Sequence, residues 1–233
     1  MSVESYRVAI GACGWKHKAW QDNFYPEDLP QDWFLGYYAN EFPVVYVPAA
    51  DWVKEQDLSG WIEDVSDSFR FILELPATYL EDETLFSAAL EKARSLGEYC
   101  TGLVFVLDNV ICDDVNCLHS RLDAVLEFTT VCVDTQEIAL PAALEDLLLS
   151  RDISEVRTSH KKNNDSQAGS TLARGKLALT HISGEALDAA IIRHELEILL
   201  AASTPDRICV LCIDGEPPSL EVMRNADIIL NLL

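Results

Sequence analysis

Basic residues are scarce in this chain. Seventeen Lys plus Arg stand against 39 Asp plus Glu, a formal charge of -22. A field of that sign repels phosphate backbones and anionic lipid headgroups, so neither nucleic acid nor a membrane surface is an expected partner. Long apolar runs are also lacking, and none approaches the roughly 18 to 20 residues that span a bilayer. The opening MSVESYRVAIG carries no basic stretch followed by an apolar one, which gives a cytoplasmic location as the expectation. No lysine-bearing phosphate loop, HExxH helix or G-x-S-x-G elbow occurs, and Gly11-x-x-Gly14 lacks the third glycine of a dinucleotide fingerprint.

Cysteine is present but not in a pattern that staples or ligates. There are seven, an odd number, and Cys13, Cys100, Cys132, Cys209 and Cys212 lie in apolar runs, as small buried hydrophobes do. Cys209 and Cys212 have CxxC spacing, yet they fall inside RICVLCI. Strand periodicity sends the two thiols to opposite faces, unlike a redox pair at a helix start. Cys112 and Cys117 have His119 nearby, but no second ligand pair follows at finger spacing.

The 233 residues are 49% hydrophobic and 24% charged, enough for one large globular domain with a full core. Eight short runs rich in β-branched and apolar residues recur: Arg7–Cys13, Pro43–Val47, Phe69–Leu75, Gly102–Leu107, Thr129–Asp134, Glu155–Ser159, Lys176–Ile182 and Arg207–Ile213. Several, such as GLVFVL, are apolar throughout rather than alternating, as strands buried on both faces of a parallel sheet are. Helical stripes lie between them. One joins Leu85, Ala88, Ala89, Lys92 and Leu96; a second, behind the acidic pair Asp113 and Asp114, joins Val115, Leu118, Leu122, Val125 and Leu126. A terminal helix after Pro217 and Pro218 carries Leu220, Met223, Ala226, Leu230 and Leu233. Eight βα units predict an α/β fold, a single (β/α)8 TIM-type barrel over residues 1–233, regular or irregular. An open doubly wound sheet is the structural alternative. Residues 159–175 are polar and aperiodic, with the basic pair Lys161 and Lys162, and read either as a mobile surface loop or as a lid over a site. Leu147–Leu149 and Ile228–Leu230 could pack on the sheet or pair with another chain, which leaves oligomeric state open.

Gly11-Ala-Cys-Gly14-Trp15, then Trp20, then Phe24-Tyr25-Pro26-Glu27-Asp28-Leu29-Pro30, resemble the start of the domain of unknown function 72 family, also called YecE-like. Leu35, Tyr37, Tyr38, Ala39 and Phe42 extend the likeness. Phe69-Arg70-Phe71, Gly102–Val106, His181 and Asn225-Ala226 continue it to the end of the chain. The resemblance implies a TIM-type barrel of unknown activity. It also brings out departures. Tyr46 and Pro48 stand where the family pattern has glutamate and asparagine, and Glu74 where it has lysine. Leu107 replaces a glutamine, Asp134 and Gln136 a glutamate-x-arginine pair, Leu179 an arginine, and Ile213 and Asp214 asparagines. Most of the positive and amide groups that could grip an anionic ligand are gone.

Site residues of a barrel come from the C-terminal ends of its strands. Candidate catalytic groups are Glu74, Asp134 and His181. Candidate ligand contacts are Trp15, Lys16, Tyr46, Trp52, Asp108, Gln136 and Asp214, with Cys13, His17, Asp51, Asn109, His160 and Glu216 at neighbouring strand ends. If Glu74 and Asp134 share a pocket, their repulsion raises one pKa and makes an acid/base pair. Trp15 and Trp52 read either as an aromatic wall or as core, and His17, His119, His160 and His194 as ordinary surface or helix residues. The leading expectation is a non-catalytic or activity-altered barrel, without a resident cofactor, whose changed pocket binds a small neutral or cationic ligand, or a protein partner. The competing expectation is a metal-assisted hydrolase or isomerase using a divalent ion at Asp108, Asp134, His181 and Asp214. A phosphodiester-cleaving enzyme is disfavoured by the net charge unless Lys161 creates a local exception.

Overall fold

The computed structural model describes residues 8–108, 115–136, 138–159, 172, 174–183 and 188–233. The Asp113–Asp114 pair, Cys112, Asn109, His160, Lys161, Lys162 and most of the 159–175 stretch lie outside the described residues. The described residues form nine strands: β1 (Ala9–Cys13), β2 (Val44–Val47), β3 (Arg70–Pro76), β4 (Cys100–Val106), β5 (Thr130–Asp134), β6 (Ser154–Glu155), β7 (Arg157–Ser159), β8 (Leu177–Ser183) and β9 (Ile208–Asp214). All pair in parallel, in the order β6-β5-β4-β3-β2-β1-β9-β8-β7. The two end strands of that order follow one another in the chain, so the sheet returns on itself as a nearly closed barrel. An open sheet would leave its edges on unrelated segments. Each expected strand segment is found, and the sixth is divided at Val156. The Val156 N–H donates to the Val133 carbonyl at 2.7 Å, while Ser154 Oγ donates to the Leu177 carbonyl. The first half therefore stays on β5 and the second passes to β8.

Strands buried on both sides divide the apolar residues into two cores. Val44, Tyr46, Ile72, Val104, Leu179, Val210 and Cys212 fill the barrel interior, while the alternate positions pack outward against the helices. Cys209 lies in the outer core and Cys212 in the inner one, the opposite facing expected of a strand.

The helical faces shift from the expected stripes. In the helix Glu83–Ser95 the buried face is Phe86, Ala89, Leu90 and Ala93, whereas Leu85 is 41% exposed and Ala88 is exposed. Asp82 sets this phase: its side chain accepts from the backbone N–H groups of Thr84 (2.8 Å) and Leu85 (3.0 Å), and Phe86 then turns onto Phe105. Lys92 reaches the Val53 carbonyl from the rim of this face. In the helix Val115–Leu126, Leu118, Leu122 and Val125 are buried as expected, Leu126 is exposed, and Arg121 is buried. Arg121 is buried because it bonds the Leu80 carbonyl at 3.0 Å, pairs with Glu83 and stacks over Phe86. The terminal helix Leu220–Leu230, capped by Ser219, buries Val222, Met223 and Ala226 and leaves Ile228 exposed. Leu147 and Leu148 pack inward and Leu149 does not. Among the described residues no helix is long and apolar enough to cross a membrane.

The N-terminal aromatic motif is a buckle on the outside of the barrel. Trp20, Phe24, Tyr25, Phe34, Tyr38 and Phe42 form one continuous ring cluster, with Tyr25 stacked on Phe34 at 4.0 Å. Its polar tips close backbone gaps. Tyr38 Oη accepts from the Ala12 N–H at 2.8 Å and donates to the Val44 carbonyl at 2.9 Å; Tyr25 Oη donates to the Trp15 carbonyl at 2.6 Å; Trp20 Nε1 donates to the Pro218 carbonyl at 3.0 Å. At Gly11 the two strands come so close that a Cβ would lie 2.2 Å from the Val44 oxygen. Replacing Tyr38 by Phe strips both buried backbone groups of their partner, and the expected loss is about 1–3 kcal/mol of unfolding free energy. Urea melts of the two proteins read this directly, and coincident midpoints would show that the bridge contributes nothing.

Candidate functional site

Alternation along parallel strands places the last inward residues at the C-terminal mouth of the barrel. Beyond the interior residues Gly11, Ile72, Cys132, Leu179 and Cys212 come Cys13, Glu74, Asp134, His181 and Asp214. At the centre, Tyr46 Oη donates to Glu74 Oε2 at 2.9 Å, and the His181 ring meets the Tyr46 ring edge-on at 4.6 Å. Glu74 is fixed from two other directions. Its Oε1 accepts from the Ala49 N–H at 3.4 Å, and its carbonyl accepts from Trp52 Nε1 at 2.8 Å. Register reinforces the cluster, since Cys13 pairs with Tyr46 and His181 with Cys212.

The turn after β1 builds the rim. Gly14 adopts φ 78 and donates its N–H to the Tyr46 carbonyl at 2.8 Å, and a Cβ there would crowd His17. His17 Nε2 lies 2.8 Å from the Cys13 carbonyl, which can only accept, so this nitrogen carries the proton. Its Nδ1 is 4.0 Å from Glu216. Burial pushes the Cys13 thiol well above its usual range, and Asp214, Glu74, Asp51 and Glu216 push it further in that order. Four carboxylates thus act on one thiol. Burial, then Glu74, holds Tyr46 protonated, and burial, then Cys13 and Asp214, raises the Cys212 thiol.

The candidate residues do not all converge. Tyr46, Glu74, His181 and Asp214 gather around Cys13, joined by Asp51 and Glu216. Asp134 stands apart: register sets it opposite Val106, two residues further along than Val104, the partner of Glu74. Its Oδ1 accepts from the Gln136 N–H at 2.9 Å in a turn where Gln136 is exposed at φ 47. Its field reaches Cys132, whose thiol burial raises to about 12 against the pull of the Ser154 hydrogen bond. Among the described residues no hydrogen bond links Glu74 to Asp134. Asp108 is half-buried beyond the end of β4. Trp15 is 2% exposed and Trp52 0%, so both are core side chains; Trp52 supports Glu74 through its N–H rather than offering a ring face. Lys16 points away from the mouth to Glu55, at 3.6 Å. His17, read from sequence as an ordinary surface residue, sits on the rim; its position three residues past a left-handed glycine was the available signal. Among the described residues no three His, Cys, Asp or Glu side chains come close enough together to hold a metal ion.

The model of the family described as protein of unknown function DUF72 matches residues 9–126, half of the chain. The chain belongs to this family. A solved DUF72 family protein from Enterococcus faecalis superposes with a TM-score of 0.70 at 12% identity, over 97% of this chain and 96% of that one. The "putative aldo-keto reductase" of Pseudomonas aeruginosa superposes with a TM-score of 0.52, also at 12% identity, over 96% and 90% of the two chains. At such identities the likeness is one of fold. No curated protein matches. In this DUF72 chain the residues matched to the opening family motif form the aromatic buckle and the turn that carries Cys13, Gly14 and His17. The positions at which the family pattern has glutamate and lysine are filled by the hydrogen-bonded pair Tyr46 and Glu74.

Burial raises Tyr25, Tyr38 and Tyr46 above the ordinary phenol range. A raised folded-state pKa gives stability that is full below the unfolded value near 10 and is lost as pH rises through the folded one. Absorbance at 295 nm between pH 9 and 12 is therefore expected to show these three phenols ionising only as far-UV circular dichroism reports unfolding. Ionisation of all seven tyrosines with the fold intact would contradict this burial.

Proposed function

We propose that the mouth of this barrel binds a small organic cation, a primary or substituted amine, between Glu74, Asp214 and the Tyr46–His181 ring pair. The carrying observation is the placement of Glu74, His181 and Asp214 at the ends of parallel strands around Tyr46, whose Oη donates to Glu74 Oε2 at 2.9 Å. The described basic groups nearest these strand ends are turned elsewhere: Lys16 to Glu55, and Arg157 outward to Glu195 at 2.8 Å. An amine entering this field would offset like-charge repulsion between carboxylates, whereas a phosphate or carboxylate ligand would add to it. Tyr46 supplies an apolar wall with a fixed polar tip, suited to orienting a small ligand. The reading is of a binding protein acting in the cytosol, consistent with free thiols at all the described cysteines.

Calorimetric titration with a panel of alkylamines, set against acetate and phosphate at matched ionic strength, tests this reading. One amine is expected at the mouth, with Glu74→Gln weakening that binding about ten- to a hundredfold through loss of a charge-assisted hydrogen bond. Tyr46→Phe keeps the wall and the carboxylate and serves as the fold-preserving companion. Binding of the anions, or amine binding indifferent to Glu74→Gln, would overturn the proposal.

A further inference from the structure

Behind β1, outside the barrel, lies a cavity of about 560 Å³ between the turn after β1, the segment Gln31–Leu35 and the short helix Ser59–Glu63. Its floor is the buried Trp15, and Trp61 stands against Trp15 edge-on at 4.9 Å. The Lys16 ammonium of the chain itself lies over both indoles, 5.2 Å from the Trp15 ring and 5.7 Å from that of Trp61, with Glu55 as its counter-ion. Asp32, Glu55 and Asp64 line the cavity against Lys16 and Lys18, three carboxylates to two ammonium groups. The aromatic pair belongs to the outer core, on the other side of the strand layer from the mouth.

We propose that this cavity is a second binding site, for an alkylammonium ion, in which Lys16 stands in for the ligand. Two indoles and a carboxylate already hold a cation here, which defines the chemistry the cavity accepts. The stand-in is weakly held. An exposed ion pair is worth about 0–1 kcal/mol and an exposed cation–π contact about 0.5–1 kcal/mol. Lys16 is 44% exposed on a flexible stem, so it can swing into solvent when another cation takes its place. Its departure removes one positive charge and leaves the carboxylates of Asp32, Glu55 and Asp64 to the incoming ion. A quaternary ammonium suits the site best, because it sheds water more readily than Lys16 does and needs no hydrogen-bond acceptor.

The test is titration of the protein with tetramethylammonium chloride against equimolar sodium chloride, followed by calorimetry and by tryptophan fluorescence. If Lys16 competes for the site, Lys16→Ala binds the probe about three- to tenfold more tightly than the parent, the size expected for removing contacts of this strength. Trp61→Leu is expected to abolish that binding, and Trp61→Phe, which keeps an aromatic face, to weaken it. Glu74→Gln leaves this site untouched, so failure here and failure of the mouth reading are told apart by which variant responds. Equal or weaker binding by Lys16→Ala would overturn the inference, as would no saturable binding to either protein. Saturable binding of acetate or phosphate that Lys16→Ala removes would make Lys16 an anion contact and overturn it equally.

Discussion

One phenol holds the first two strands of this barrel in register. Tyr38 Oη accepts a hydrogen bond from the Ala12 N–H and donates one to the Val44 carbonyl, within a buried layer. Either group left alone there would carry the cost of an unpaired buried dipole. The bridge also fixes Gly11 against Val44 so closely that no side chain fits. From that fixed edge the turn at Gly14 follows, and with it the positions of Cys13 and His17 relative to Tyr46. The aromatic cluster around Tyr38 is what makes a hydroxyl dependable in this role, since the stacked rings leave it no other rotamer. The buckle and the mouth are thus one mechanical unit, with the fold's most distinctive residues on the outside and its polar ones within.

The mouth shows what a change of sign does to a pocket built on a common scaffold. In the pattern this chain resembles, β2 contributes a carboxylate and β3 an ammonium. Here β2 contributes a phenol and β3 a carboxylate, and the two are joined by a neutral-to-charged hydrogen bond. The scaffold tolerates the exchange because the strands are set by pairing of the backbone, which any side chain allows, and by outward-facing apolar residues, among which the Tyr46 and Glu74 side chains are not. What alters is the field. Burial raises the Cys13 thiol, and Asp214, Glu74, Asp51 and Glu216 raise it further. Arg157, which could restore balance, is engaged on the outer face in a two-point pair with Glu195. Burial of that pair binds a strand to its covering helix and keeps the cation out of the barrel.

Much of this was legible in the sequence. Eight short apolar runs, several of them apolar on both faces, with helical stripes between them pointed to a (β/α)8 barrel, with an open doubly wound sheet as the alternative. Strand period alone sent Cys209 and Cys212 to opposite sides. Strand ends picked out Glu74, His181 and Asp214 as candidates, but not which way they face. The division of the sixth strand was not legible, because it is a change of pairing partner around Val156, from β5 to β8. The phase of the helix Glu83–Ser95 was misread, because a cap at Asp82 and a ring contact at Phe105 choose the face, and local periodicity fits two neighbouring stripes almost equally well.

What the sequence by itself determined is the architecture, the sign of the electrostatic field and the residues at strand ends, since these follow from periodicity, composition and the geometry of βα units. Which of those residues meet was decided only by tertiary structure. Asp134 and Glu74 end neighbouring regions of one sheet, yet a register offset of two residues sets them apart, while His17 and Asp51 come to the mouth from the segments after β1 and β2, placed by a single glycine and a buried tryptophan N–H. Distances between side chains are set by strand stagger and turn geometry, and neither leaves a mark on the order of residues along the chain.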